Sequence, residues 1–347
     1  MGQRANLIII ENDKYSLYYS HWCANTLPRD LFWGAEHAID FVRIQREVDE
    51  SGWLDDVWAE GAAVIDCDNR VLLMYGGEIE IYDIPLRRVY LEMLGYVWSM
   101  WEVRWAYEGI ADIADYVGYP RFKVLSESED DAASSLSPPE EKDWTEIVGS
   151  FRLADGSLQI YPLVGEVEYY LFAGQSLLQQ CQFTRGEESL NLDEWLECNF
   201  PKGGFHIDLV AQTVDYWTAT EIPDIPNRVR AIWSGWNVIW HRDRYEYQLD
   251  ATAGMLRFPH QSKEQIQAQL KNMLLSNYGH SPVDNILKII EENGKEGKAA
   301  EVNPLALRDD RLEIDLSQRN KIFNEAMTNI QNRIPALERS LEEIKLD

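Results

Sequence analysis

Basic residues are scarce in this chain. Against 59 Asp and Glu stand 32 Lys and Arg, a formal net charge of −27 over 347 residues. The deficit is spread along the sequence: residues 1–122 carry −11, 123–146 carry −6, 147–262 carry −7 and the remainder −3. Such a field repels a phosphate backbone and attracts cations and basic proteins, so nucleic-acid binding is not expected. Cysteine is equally sparse. Cys23, Cys67, Cys181 and Cys198 show no CxxC spacing and no paired histidines nearby. They read as free thiols of a reducing compartment, not as a disulfide frame or zinc site.

Long apolar runs are missing too. The N-terminal stretch Leu7–Ile10 is only four residues. Neither a leader nor a membrane span is expected, and the protein reads as cytoplasmic. Gly76-Gly77 and Gly203-Gly204 lack the lysine and spacing of a phosphate loop, and the six histidines form no HxH or HExxH. No cofactor or metal is expected.

What the chain has is hydrophobic residues at 45% and aromatics at 12%, ample for packed cores. It also has an internal repeat. Residues 80–87 (EIYDIPLR) and 221–228 (EIPDIPNR) agree at six of eight positions, 141 apart. Trp53-Leu54, Gly61 and Ile65-Asp66 recur 142 residues on as Trp195-Leu196, Gly203 and Ile207-Asp208. Leu31-Phe32 and Gly34 recur at an offset of 140, and Trp101, Ala114 and Pro120 align with Trp240, Ala253 and Pro259 at 139. Four blocks in one order imply a tandem duplication.

Within each copy the pattern predicts ββαββαβα, an α+β unit. In the first, strands fall at 5–10, 15–20, 61–67, 70–75 and 101–105, with helices from Gly34, after Asp83 and over 109–117. In the second, strands are expected near 157–161 and 167–172 and a helix near 226–238. The predicted organisation is a first α+β repeat (1–122), an acidic Ser/Pro-rich solvated linker (123–146), a second α+β repeat (147–262) and a helical C-terminal extension (263–347). That extension either packs on the core or drives a homodimer.

Positions kept in both copies serve the fold; polar groups present in one copy are the better functional candidates. Glu80, Asp83 and Arg87 with Glu221, Asp224 and Arg228 thus read as scaffold, each arginine expected beside a carboxylate at the helix start. Asp66 and Asp208 read as turn residues. Arg104, Glu108 and Asp112, aligned with Asp243, Tyr247 and Ala251, are candidates for a pocket walled by Trp98, Trp101 and Trp105, where a carboxylate against indole rings would act as a general acid. The competing reading buries the tryptophans and leaves the charges on the surface. His21 and Cys23 are a weaker nucleophile pair.

The third candidate is a surface. Asp49, Glu50, Asp55, Asp56 and Glu60 surround Trp53 and Trp58, with Asp66 and Asp68 close behind. Trp53, Asp55, Asp56, Trp58, Glu60 and Asp68 are the binding residues expected of a module that takes a basic protein. The leading expectation is an acidic protein-binding module, of the immunity or antitoxin type, that inhibits a basic protein such as a nuclease toxin. A hydrolase-like pocket in the first repeat and a scaffold dimerising through 263–347 are the alternatives.

Overall fold

The computed structural model describes residues 2–126, 132–133, 135–139, 141, 144–180, 190–191, 200–276, 281–295, 304–308 and 310–344. Two compact units emerge: residues 1–81, 86–126 and 263–347 form one, and 82–85 with 127–262 the other.

The first repeat opens with β1 (Ala5–Glu11) and β2 (Lys14–Ser20), a hairpin whose turn residues Asn12 and Asp13 both have positive φ, 55° and 57°. That conformation matches the twist of a two-residue hairpin and suits Asn and Asp. Then come α1 (Leu27–Asp30), α2 (Ala35–Ile44), β3 (Arg46–Val48), β4 (Gly61–Asp66), β5 (Val71–Tyr75), α3 (Ile84–Val97), β6 (Glu102–Trp105) and α4 (Ile110–Val117). The sheet order is β3-β2-β1-β4-β5-β6, with β1 parallel to β4 and β5 parallel to β6. Each parallel pair needs a crossover, supplied by α1–α2 and by α3. Every residue of β4 and β5 is buried, as suits central strands covered on both faces.

The second repeat contains β7 (Ile147–Arg152), β8 (Leu158–Leu163), α5 (Val167–Phe172), β9 (Leu190–Asn191), β10 (Gly203–Asp208), β11 (Thr213–Thr218), α6 (Ile225–Ile232), β12 (Asn237–Trp240), α7 (Glu246–Ala251) and β13 (Leu256–Arg257). Its main sheet runs β12-β11-β10-β7-β8, with β7 parallel to β10 and β11 parallel to β12. Strand order and direction are those of β6-β5-β4-β1-β2. Only β3 lacks a described equivalent.

The duplication extends to side chains. The Asp66 carboxylate accepts the N–H groups of Asp68 and Asn69, and Asp208, 142 residues on, accepts those of Val210 and Ala211. The Trp98 indole N–H donates to Leu31 O at 2.8 Å and Trp233 to Leu171 O at 2.7 Å, both rings buried. Trp101 and Trp236 stand edge-on to them, at 5.0 and 5.2 Å.

This geometry corrects the downstream alignment. Ala106 N–H bonds to Met74 O as His241 N–H bonds to Tyr216 O, and Gly118 and Ala253 both end a helix with positive φ. The offset there is 135, not 139, because helix α6, of eight residues, is six shorter than its counterpart α3, of fourteen. Trp105, not Trp101, is the equivalent of Trp240.

A second correction concerns 167–172, expected as a strand on its aromatic and β-branched content. It is helix α5, because Val167, Tyr170 and Leu171 line one face and are buried together. The missing strand is β7. Helix α6 also stops at Ile232, so 237–238 belong to β12. Within 123–146, expected to be solvated throughout, Leu136 is buried in the second core and Ala133 N–H bonds to Tyr169 O.

The tail forms α8 (Lys263–Leu275), α9 (Pro282–Lys295) and α10 (Leu316–Ile344), the last running on through Pro335. It packs on the first repeat. Leu270, Leu274, Phe323, Ala326, Met327 and Ile330 are buried, Trp22 donates to Ala306 O, and Gln45 donates to Asp310 O. Among the described residues no helix is long and apolar enough to cross a membrane.

Candidate functional site

The acidic tryptophan segment lies between β3 and β4. Trp53 is not an exposed anchor: it stacks on Tyr119 at 4.6 Å and 12° and meets Tyr15 edge-on. Its sequence counterpart Trp195 lies outside the described residues. Trp58 is the exposed one, at 51%, with the Arg4 guanidinium 4.5 Å above its ring. Asp55 accepts the N–H groups of Val57 and Trp58 and so shapes the turn that presents them.

Asp56 ties this turn to residues 121–126: its N–H donates to Val124 O and its carboxylate accepts Ser126 N–H. Val57 and Phe122, on the two joined segments, are 59% and 75% exposed. Burial raises the Glu60 carboxyl above its ordinary range, against the pull of Arg4. Asp68 sits elsewhere. Its two oxygens accept the N–H groups of Asn12 and Asp13, so it braces the β1–β2 turn. Asp66, beside it, feels burial upward but is held low by hydrogen bonds from Asn69, Tyr116 and Asp68.

Arg104, Glu108 and Asp112 are engaged with different partners. Arg104, on edge strand β6, makes a bidentate pair with Glu102 in which both side chains are largely exposed. Glu108 pairs with Arg121, and Asp112 accepts Glu108 N–H at 2.9 Å, stabilising the start of α4. Trp98 and Trp105 are buried as core. Alternation along β6 explains the division: Trp105 turns inward and Arg104 outward.

In the duplicated motif, Arg87 is fully buried with its guanidinium 4.9 Å from the Trp105 ring, and Arg228 lies 4.4 Å over Phe172. Both use the planar cation against an aromatic face. Cys23 is buried and its thiol is pushed up to about 12, chiefly by burial, so it is no nucleophile at neutral pH. His21 is lowered by burial and bonds Tyr19 OH through Nδ1.

Sequence reasoning missed two features. One is an open groove of about 530 Å³ at the start of α2, walled by Trp33, Glu36, His37 and Asp40 and by Glu313 and Asp315 of the tail. Its acids are too far apart in sequence to be read as one surface. The other is a buried polar row in the second sheet. Ser150 Oγ lies 2.9 Å from His206 Nδ1; Gln248 of α7 donates to Ser150 Oγ and to the carbonyls of Val148 and Phe205, while Trp217 donates to Gln248 Oε1. Asp215, cross-strand neighbour of His206, bonds His241 Nε2 at 2.7 Å, and Tyr247 stacks on that imidazole at 3.8 Å. The one-copy filter could have found it: Ser150, His206 and Asp215 stand opposite Ile8, Val64 and Leu73 at the 142-residue offset, and His241 and Gln248 opposite Ala106 and Ile113 at 135. Ser150 is fully buried and His206 nearly so, while Asp215 at the end of the row is partly exposed.

Among the described residues no three His, Cys, Asp or Glu side chains converge to hold a metal ion. No protein-family model matches the chain, and neither curated proteins nor solved structures give a match.

Proposed function

We propose that this protein is an acidic protein-binding module whose partner is a basic protein. The observation that carries the reading is the exposure of Val57, Trp58 and Phe122 on two segments pinned together through Asp56. Large exposed apolar side chains beside charged groups are the chemistry of an interaction surface, with aromatics supplying contact area. The net charge of −27 supplies attraction and steering toward a cationic partner. An inhibitor of the immunity or antitoxin type, masking the basic face of a nuclease toxin, fits both. The free thiols Cys23 and Cys67 suit a reducing compartment such as the cytoplasm.

Calorimetric titration of the full chain with a Lys/Arg-rich peptide and with a folded basic protein, at 20 and 300 mM NaCl, tests the proposal. Binding that weakens with salt and drops about tenfold or more in Trp58→Ala and Phe122→Ala is expected. No binding, or binding indifferent to both substitutions, rejects it.

A second reading, self-association through the tail, is favoured by Leu287 and Ile289 of α9, which are 51% and 56% exposed. Light scattering on Leu287→Glu/Ile289→Glu tests it, since truncation at Ser262 would strip residues that pack on the first repeat. A mass unchanged from a monomeric wild type removes the idea.

A further inference from the structure

On the face of each sheet beneath its last helix, the two repeats differ in kind. In the first, Ile8, Val64, Leu73 and Ala106 are buried, and α4, which packs on β4, contributes buried Ile113. The equivalent positions in the second are Ser150, His206, Asp215 and His241, and the helix residue is Gln248. Ser150, His206 and Asp215 are directly opposite one another on β7, β10 and β11, so they share a face. Helix α7 packs on β10 and β11 over that face. An apolar layer in one copy is thus a hydrogen-bonded layer with a titratable group at its centre in the other.

We propose that this layer is a proton-operated latch: proton uptake by His206 puts a cation beneath α7, and the layer opens to hydrate it, whereas the first repeat has no such response. A buried polar layer holds while every group is satisfied, and a new charge inside it is costly.

The groups facing His206 come from every neighbouring element. Burial dominates and lowers the imidazole to about 4; Asp215 on β11 opposes this, Arg152 on β7 adds to it, and Asp208 on its own strand opposes it. His241, past β12, occupies the Asp215 carboxylate, so that carboxylate is already engaged. From α7 come Gln248, bonded to Ser150, and Tyr247, stacked on His241. Arg152 also donates to Ala251 O at the C-terminus of α7, and pairs with Asp208 at 3.3 Å. The lowered imidazole means that the open form takes up the proton more readily than the closed one, so acid favours opening.

Amide hydrogen exchange on the full chain, corrected for intrinsic rates, is the test. Between pH 7.0 and 4.5, protection in α7 and β10 is expected to fall at least about tenfold more than in α4 and β4. The first repeat serves as a control for general acid loosening. His206→Val, which installs the residue that Val64 supplies in the first repeat, is expected to abolish the difference. Should that variant not fold, the wild-type comparison of α7 with α4 decides alone. Equal loss in both helices, or an α7-specific loss that survives in His206→Val, overturns the latch.

Discussion

The paired tryptophans offer a perturbation that acts twice on one molecule. Trp98 and Trp233 each donate an indole N–H to a carbonyl, Leu31 O at 2.8 Å and Leu171 O at 2.7 Å, from rings that are 1% and 0% exposed. Replacing either by Phe leaves a buried carbonyl without that donor, a cost of about 1–3 kcal/mol. The smaller ring leaves a void whose lining recovers only in part, adding about 1 kcal/mol. Some edge-on contact with Trp101 or Trp236 is also lost. The total is roughly 2–4 kcal/mol for each variant. Urea unfolding gives the magnitude, and native-state exchange in α3 and α6 assigns it to a repeat. Trp98→Phe is expected to weaken protection in α3 and Trp233→Phe in α6, by similar amounts. A loss below about 0.5 kcal/mol in either variant would mean that the indole is not the pin described.

Other outcomes follow from the same geometry. Gly204→Ala would drive a methyl group into Gln248 Oε1 and the Trp217 ring, and is expected to destabilise by about 1–3 kcal/mol in urea; Gly95→Ala, with open space around it in α3, is expected to stabilise by about 0.5–1 kcal/mol. Arg104→Ala, at an exposed pair, is expected to change urea stability by less than about 0.5 kcal/mol. Cys23 is expected to resist iodoacetamide at pH 8 until the chain is unfolded, since burial and a thiol raised to about 12 both oppose attack. For His206 the folded value of about 4 lies below the ordinary 6.5, so its contribution to stability is full above pH 6.5 and is lost as pH falls toward 4, up to about 3 kcal/mol. Urea midpoints across pH 7 to 4, in wild type and His206→Val, check that window.

Much of the fold was legible because the chain states it twice. Gly61 and Gly203 are constrained alike: an added methyl would meet a carbonyl in each, Tyr75 O or Trp217 O. Such shared constraints survive divergence and show up as aligned blocks. The exchange of residues 167–172 for 147–152 as a strand arose because Tyr-, Phe- and Val-rich segments suit either element when short, and only burial decides. The offset slipped after α6 because tryptophans recur at 98, 101 and 105 and again at 233, 236 and 240, which allows several alignments. That slip moved the one-copy filter to Arg104 and Asp112, whose roles are a surface pair and a helix start, and away from His241 and Gln248. Ser150 and His206 stand opposite Ile8 and Val64 at the 142-residue offset of the Gly61 block and went unread beside its shared glycine and aspartate. The acids of the 49–68 segment were read as a partner's rim; Asp55, Asp56 and Asp68 hold backbone N–H groups, a local role that charge counting does not reveal.

His206 stands against Val64, and Gln248 against Ile113, only if the two sheets are the same unit in register. Through-hydrogen-bond couplings between amide nitrogen and carbonyl carbon measure it directly. Ala106 N–H should couple to Met74 C=O and His241 N–H to Tyr216 C=O. A coupling from His241 to any carbonyl other than that of Tyr216 would contradict the register, and with it the assignment of the polar layer.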